Sequence, residues 1–268
     1  MANIEHLALL KKGAIRWIEW RKHNLDIQPD LSEANLKGVN LRRINLKGVN
    51  LRRADLCGRT LIAANLSNAN LNSANLYQAK LIDANLQEAQ LINANLMDAD
   101  LRGANLIQTE FIGADLRGAN LRGADLSNAN LMGTSLRGAN LRGVDLSGAN
   151  LRRTNLSEAD LIEANLIEVD LSNSHLHDAE LIGAYFYKTN LHKANLIEAH
   201  LNGAYLFGAE LTEANLCKAD LRWTNLSKAN LSYADLRGAK LRGANLSKTN
   251  LKGANLQGTM MPDGTIHD

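Results

Sequence analysis

Residues 61–80 read LIAANLSNANLNSANLYQAK, and this stretch decides the fold. Leu61, Leu66, Leu71 and Leu76 recur every five residues; Ala64, Ala69 and Ala74 stand two positions before the last three, with Asn65, Asn70 and Asn75 in between. Apolar side chains two apart point to the same side of an extended chain, so each small–large pair is one buried face of a short strand. A helix with 3.6 residues per turn would smear a five-residue period around its whole circumference, and Asn, Asp and Gly at this density are poor helix formers. Short extended pieces joined by tight turns remain.

Outward from this stretch the register runs from Leu31 to Leu256 as 46 successive pentapeptides without a slip, with Phe111 and Phe186 in place of Leu. Periodicity of this length specifies a stacked array before any local propensity is considered. The composition agrees: 45% of residues are hydrophobic but only 4% aromatic, so the core is built of Leu and Ala. A net charge of +2 gives no global pull toward nucleic acid or anionic membrane.

The A(N/D)LXX pattern over residues 29–258 resembles the pentapeptide-repeat family. That resemblance implies an all-β, right-handed quadrilateral β-helix with four pentapeptides per coil, about 11.5 coils in a rod of about 55 Å. It also places each Leu, and the residue two before it, inside. Four Leu per coil contribute about 1.5–3 kcal/mol each, whereas fixing each of 20 backbones costs about 1–2 kcal/mol. A coil is therefore stable only against neighbours. Val39, Ile44, Val49, Thr109 and Ser174 are tolerable where Ala is usual, but Arg59 is not: an unpaired buried guanidinium is very costly. A local opening or a turned-out side chain is expected there, with Thr60 also breaking the Asn/Asp rule.

The ends differ. Residues 1–28 read as a capping helix and linker. One amphipathic helix over 3–23 would set Ile4, Leu7, Leu10, Ala14, Trp17 and Ile18 against the first coil, with Asn3 as N-cap and Glu5 in the first turn. Lys11, Lys12, Arg16, Arg21 and Lys22 on its polar side, with two Trp, support a rival membrane-surface reading, although stable insertion is not expected. Residues 259–268 read as a turn and tail around Pro262-Asp263-Gly264, long enough to cover part of a coil face and leaving that edge open to a homodimer contact. The ending Met-Pro-Asp-Gly-Thr-Ile-His-Asp resembles the terminus of heterocyst-differentiation regulators of filamentous cyanobacteria, which are also pentapeptide-repeat proteins.

Cys57 and Cys217 occupy the same repeat position eight 20-residue coils apart, about 38 Å at ~4.8 Å per coil, which is beyond disulfide reach. Free thiols, no apolar run of transmembrane length and no secretory pattern point to a cytoplasmic protein.

Residues 20 apart share a surface column. One patch stands out: Tyr185 and Tyr187 fall under Tyr205 and Phe207, with Ile167 beside them and Trp223 near the following corner. Exposed rings bury much area at low entropic cost, so this is the candidate partner-binding site; stiffening of the ladder is the rival reading. The patch lies in an acidic band, 161–215, followed by a basic band, 216–258, which favours a basic partner. Arg102, Arg122 and Arg142, flanked by Arg117 and Arg137, are candidate anion ligands unless interleaved acids pair with them. His175 and His177 form a His-x-His pair and Glu180 stacks on His200, but the columns supply no third ligand, so no metal or other cofactor is expected. No nucleophile elbow, phosphate loop or zinc-protease motif occurs, and no enzyme is expected. A protein-interaction scaffold or regulator is the leading reading. A DNA-mimicking gyrase protector, an activity found in the family, and a membrane-associated rod are the alternatives.

Overall fold

A computed structural model describes all residues from 1 to 268. From Asp30 onward every fifth residue except Asn40 forms a parallel bridge with the residue 20 positions on, from Asp30↔Asn50 to Lys240↔Met260, and each pentapeptide contributes one tight turn, so a coil has four sides. Every Leu from Leu31 to Leu241, together with Phe111 and Phe186, is sealed from solvent, and the Ala two positions earlier is sealed with it.

The backbone accounting explains the repeat. In residues 141–145, Leu141 N–H donates to Asp160 O (2.7 Å), Gly143 to Ile162 O (3.0 Å) and Asp145 to Ala124 O (3.1 Å), tying three coils together. Val144 N–H closes the turn onto Leu141 O (3.2 Å). The fifth N–H, of Arg142, has no backbone partner and donates to the side-chain Oδ1 of Asn140 at 3.2 Å. Where Asn or Asp precedes the Leu it is thus an Asx acceptor for the one N–H that the backbone ladder leaves unpaired, as Asp145 is for Ser147. It also bonds between coils, as Asn75 Nδ2 does to Asp55 Oδ1 at 3.1 Å. The second residue after each Leu has positive φ, the conformation of a type II turn, which is why Gly recurs there. Thr109, Thr134, Thr154 and Thr189 replace core Ala without cost in unpaired groups, because their hydroxyls donate to the carbonyls of Leu86, Phe111, Leu131 and Leu166. No buried side-chain N or O lacks a partner.

At Arg59 both expected features occur. The side chain turns back, Nε donating to Cys57 O at 3.0 Å. Asn40 forms no bridge to Thr60, and the bonds from Gly38 N–H to Cys57 O, Thr60 N–H to Val39 O and Leu41 N–H to Thr60 O are not made, so the ladder opens from Gly38 to Leu41.

The N-terminal segment departs from the expectation of one helix. It forms α1 (Ile4–Lys11) and α2 (Ala14–His23), broken at Gly13, whose φ of 102° no helix accommodates. Asn3 caps α1 as expected, accepting from Glu5 and His6 N–H. The break changes the buried face. Leu10 and Trp17 are fully buried, Leu7 and Ala14 half-buried, while Ile4 (84% exposed) and Ile18 face solvent. Trp17 Nε1 donates to Asn45 O (2.7 Å), His6 Nδ1 accepts from Asp30 N–H (3.0 Å) and Arg21 reaches Lys47 O (3.0 Å), so both helices lie across the first coil. Trp17 packs against Trp20 with ring centroids 5.7 Å apart and planes tilted by 32°, and neither indole is an exposed membrane anchor. No helix is long and apolar enough to cross a membrane.

At the other end Met260 pairs in parallel with Lys240 and antiparallel with Ile266, around the Pro262-Asp263-Gly264 turn. Leu246, Leu251 and Leu256 stay half-exposed, so the tail covers only part of the last coil.

Candidate functional site

The aromatic patch is assembled by the ladder itself. Tyr185 bridges Tyr205 one coil on, and their rings stack 5.1 Å apart and nearly parallel, with 46% and 51% of each residue exposed. Two residues along, Tyr187 and Phe207 stack at 5.9 Å. Phe186 and Leu206, between the ring columns, point inward and are buried, which fixes the backbone beneath the patch. Phe207 and Ile167 are half-buried, so three rings, not four, are freely presented. Trp223, 68% exposed, joins neither stack; its ring sits against Gly243, where a Cβ would lie 2.2 Å from it. Tyr233 does the same over Gly253, an exposed ring that the column reading missed although the Gly 20 residues later signals it.

The patch lies in the acidic band, but the charges nearest its rings include two cations. Lys188 Nζ lies 5.1 Å from the Tyr187 ring centroid and Lys228 Nζ 5.1 Å from that of Phe207, so two ammonium groups border the rings.

A family model for pentapeptide repeats matches eight copies between residues 30 and 258. The chain belongs to the pentapeptide-repeat family. Among solved structures, the pentapeptide-repeat protein HetL, involved in heterocyst differentiation regulation in the cyanobacterium Nostoc sp. strain PCC 7120, is 35% identical over 85% of this chain and 93% of that one, with a TM-score of 0.35. A pentapeptide-repeat protein of the Arabidopsis thaliana thylakoid lumen is 31% identical over 49% of this chain and 71% of that one, with a TM-score of 0.24. QnrB1, a plasmid-mediated fluoroquinolone resistance protein, is 20% identical over 79% and 88%, with a TM-score of 0.39. No curated protein matches.

In this pentapeptide-repeat chain the arginine columns are mostly engaged. Arg102 and Arg117 each grip the Asp two residues earlier, Asp100 and Asp115, through both Nε and Nη2. Arg142 reaches Asp160 (3.3 Å) and Arg137 reaches Glu158 (2.8 Å), which leaves Arg122 alone without an ion pair. The distinction is written in the sequence: Asp-Leu-Arg closes a local pair, whereas Asn120 before Arg122 and Asn140 before Arg142 cannot.

The same motif at Asp220-Leu-Arg222 is the most buried. Asp220 is 8% exposed; its burial opposes ionisation, but hydrogen bonds from Arg222 and Asn202 and the guanidinium charge outweigh it and hold the carboxyl at about 2. A depressed pKa stabilises the fold above the unfolded carboxyl value of about 3.9 and loses that contribution as pH falls toward 2. Asp220→Asn keeps the Asx acceptor but not the charge. It is expected to lower stability at neutral pH by about 2 kcal/mol and to flatten the acid limb between about pH 4 and 2, measured by denaturant unfolding across that window.

Along their own columns His175 and His177 gain no third ligand, as expected, but across columns His177, Asp178 and Glu198 bring their ligand atoms within 4.8 Å of one another. The column reading missed this because the third group lies diagonally, one coil on from Asp178 rather than from His177. Cys57 and Cys217 are free, as their spacing requires.

Proposed function

We propose that this chain is a non-enzymatic scaffold or regulator that holds a protein partner against the aromatic side of its solenoid, through Tyr185, Tyr187, Tyr205 and Phe207 with Ile167 and Trp223 at the margin. The reading takes the winding as right-handed and about 11.5 coils long, as the resemblance to the family implies. The observation that carries it is the pair of ring stacks: three exposed tyrosines on adjacent coils of a chain that is 4% aromatic. Stacked rings over a rigid ladder lose little freedom on binding, and the buried Phe186 and Leu206 hold them in place. Lys188 and Lys228 give the patch a cationic border suited to carboxylates on the partner. DNA mimicry would require an acidic rod, and basic residues at 37–59 and 216–258 interrupt one.

The test is capture with wild type, Tyr187→Ala/Phe207→Ala and Tyr185→Ser/Tyr205→Ser, after equal circular dichroism is confirmed. A protein held by wild type and reduced about tenfold or more by either pair is expected, the magnitude of one or two aromatic hot spots. Equal retention by all three proteins removes the aromatic side from consideration.

A further inference from the structure

The second residue after Leu on one side of the solenoid forms the column Glu158, Asp178, Glu198 and Lys218, each one coil beyond the last. Three carboxylates at coil spacing of about 4.8 Å repel one another unless countered. Arg137 meets Glu158 at 2.8 Å and Lys218 meets Glu198 Oε1 at 3.0 Å. Asp178, in the middle, meets only His177, whose Nε2 lies 3.0 Å from Asp178 Oδ2.

The other nitrogen of His177 decides what this contact means. Nδ1 is 3.0 Å from the carbonyl oxygen of Ile197, which can only accept, so Nδ1 carries a hydrogen. In the neutral ring Nε2 then presents a bare lone pair to a carboxylate lone pair, an arrangement that requires a positive charge between them. An imidazole whose far N–H is fixed on a backbone carbonyl, leaving the near nitrogen free, is the outer-shell pattern of a metal-ligating histidine.

We propose that His177, Asp178 and Glu198 form a surface site for a divalent cation of the zinc class. Imidazole with two carboxylates suits zinc and its neighbours better than magnesium or calcium, which take oxygen alone. Ligand distances of about 2.0–2.2 Å around zinc require donor atoms about 3.2–3.6 Å apart. The present donors lie within 4.8 Å on half-exposed side chains, so small rotations close the site. Asp178 and Glu198 line a shallow groove of about 390 Å³ together with His200, Lys218 and Asp220; His177 stands outside this lining, and the groove leaves both carboxylates open to water. Lys218 is the built-in competitor, since its ammonium already occupies Glu198.

The experiment is calorimetric titration of the full chain with zinc chloride at about pH 7.5, repeated on His177→Gln, Glu198→Gln and Lys218→Met, with His192→Gln as a control on another side. The three altered groups project from the surface, and circular dichroism verifies their folding. One tight zinc per chain is expected, weakened about tenfold or more by His177→Gln and by Glu198→Gln. His192→Gln leaves it unchanged and Lys218→Met tightens it severalfold. No zinc uptake, uptake unaffected by both ligand variants, or uptake weakened by Lys218→Met overturns the proposal; in the first case His177 meets Asp178 as an imidazolium.

Discussion

Leu136→Asp is expected to unravel the solenoid locally rather than unfold it as one body. Leu136 is sealed in the stack, its N–H bonded to Asn155 O at 2.7 Å and its carbonyl accepting from Ala139 at 3.0 Å. Truncation to Ala alone costs about 2–5 kcal/mol through lost contacts and the cavity left behind. An aspartate adds a carboxylate with no cation in reach, and an uncompensated buried charge costs about 3–5 kcal/mol by itself. No loop can absorb the change, because each coil touches only its two neighbours. Hydrogen exchange resolved by peptide mass should show protection lost in coils within about 20–40 residues of the substitution and largely kept near Leu51 and Leu231. Uniform loss along the chain would mean that the array folds as a single cooperative unit, and the nearest-neighbour picture would fail.

The ladder itself was legible because one rule repeats without a slip, and each exception to it has a local consequence. Arg59 and Thr60 break the rule together, and there the hydrogen bonding opens. Phe111 and Phe186 keep it, and both are buried. The role of Asn and Asp was visible only as a preference; the reason, an acceptor for the one N–H that neighbouring coils leave unpaired, needs the turn geometry. Residues outside the repeat were harder to read. A helical pattern through residues 3–23 ignores Gly13, and once the chain bends there Ile4 and Ile18 lose their place on the buried face.

Side-chain function was legible along columns and poorly legible across them. Stacking of Tyr185 on Tyr205 and of Tyr187 on Phe207 follows from the spacing of 20. The lysines over these rings, the reach of Arg142 to Asp160 and the meeting of His177 with Glu198 are diagonal, set by long side chains bridging columns. Short residues on a solenoid obey the grid, whereas Lys, Arg, Glu and His sample neighbouring columns, so charge counted by bands does not locate Lys188 and Lys228 at the rings of the aromatic patch.

Trp17→Ala is expected to cost about 3–5 kcal/mol, the range for deleting a large buried aromatic, although the residue lies outside every repeat. The indole is completely buried and its Nε1–H is the donor to Asn45 O, so truncation opens a cavity over the first coil and leaves that carbonyl without its partner. Once α1 and α2 loosen, Leu10 and the ends of the Leu columns near Leu31, Leu36 and Leu46 meet water, and an uncovered coil edge is a template for another chain. Denaturant unfolding should show the loss, and light scattering after size exclusion should show concentration-dependent association that wild type lacks. Trp17→Phe retains most of the packing and is expected to lose mainly the hydrogen bond, about 1 kcal/mol. Ile4→Ala, on a side chain that faces solvent, should stay within about 0.5 kcal/mol of wild type. A loss at Trp17→Ala no larger than at Ile4→Ala would mean that the helices ride on the solenoid without stabilising it. A large loss at both would restore a single amphipathic helix.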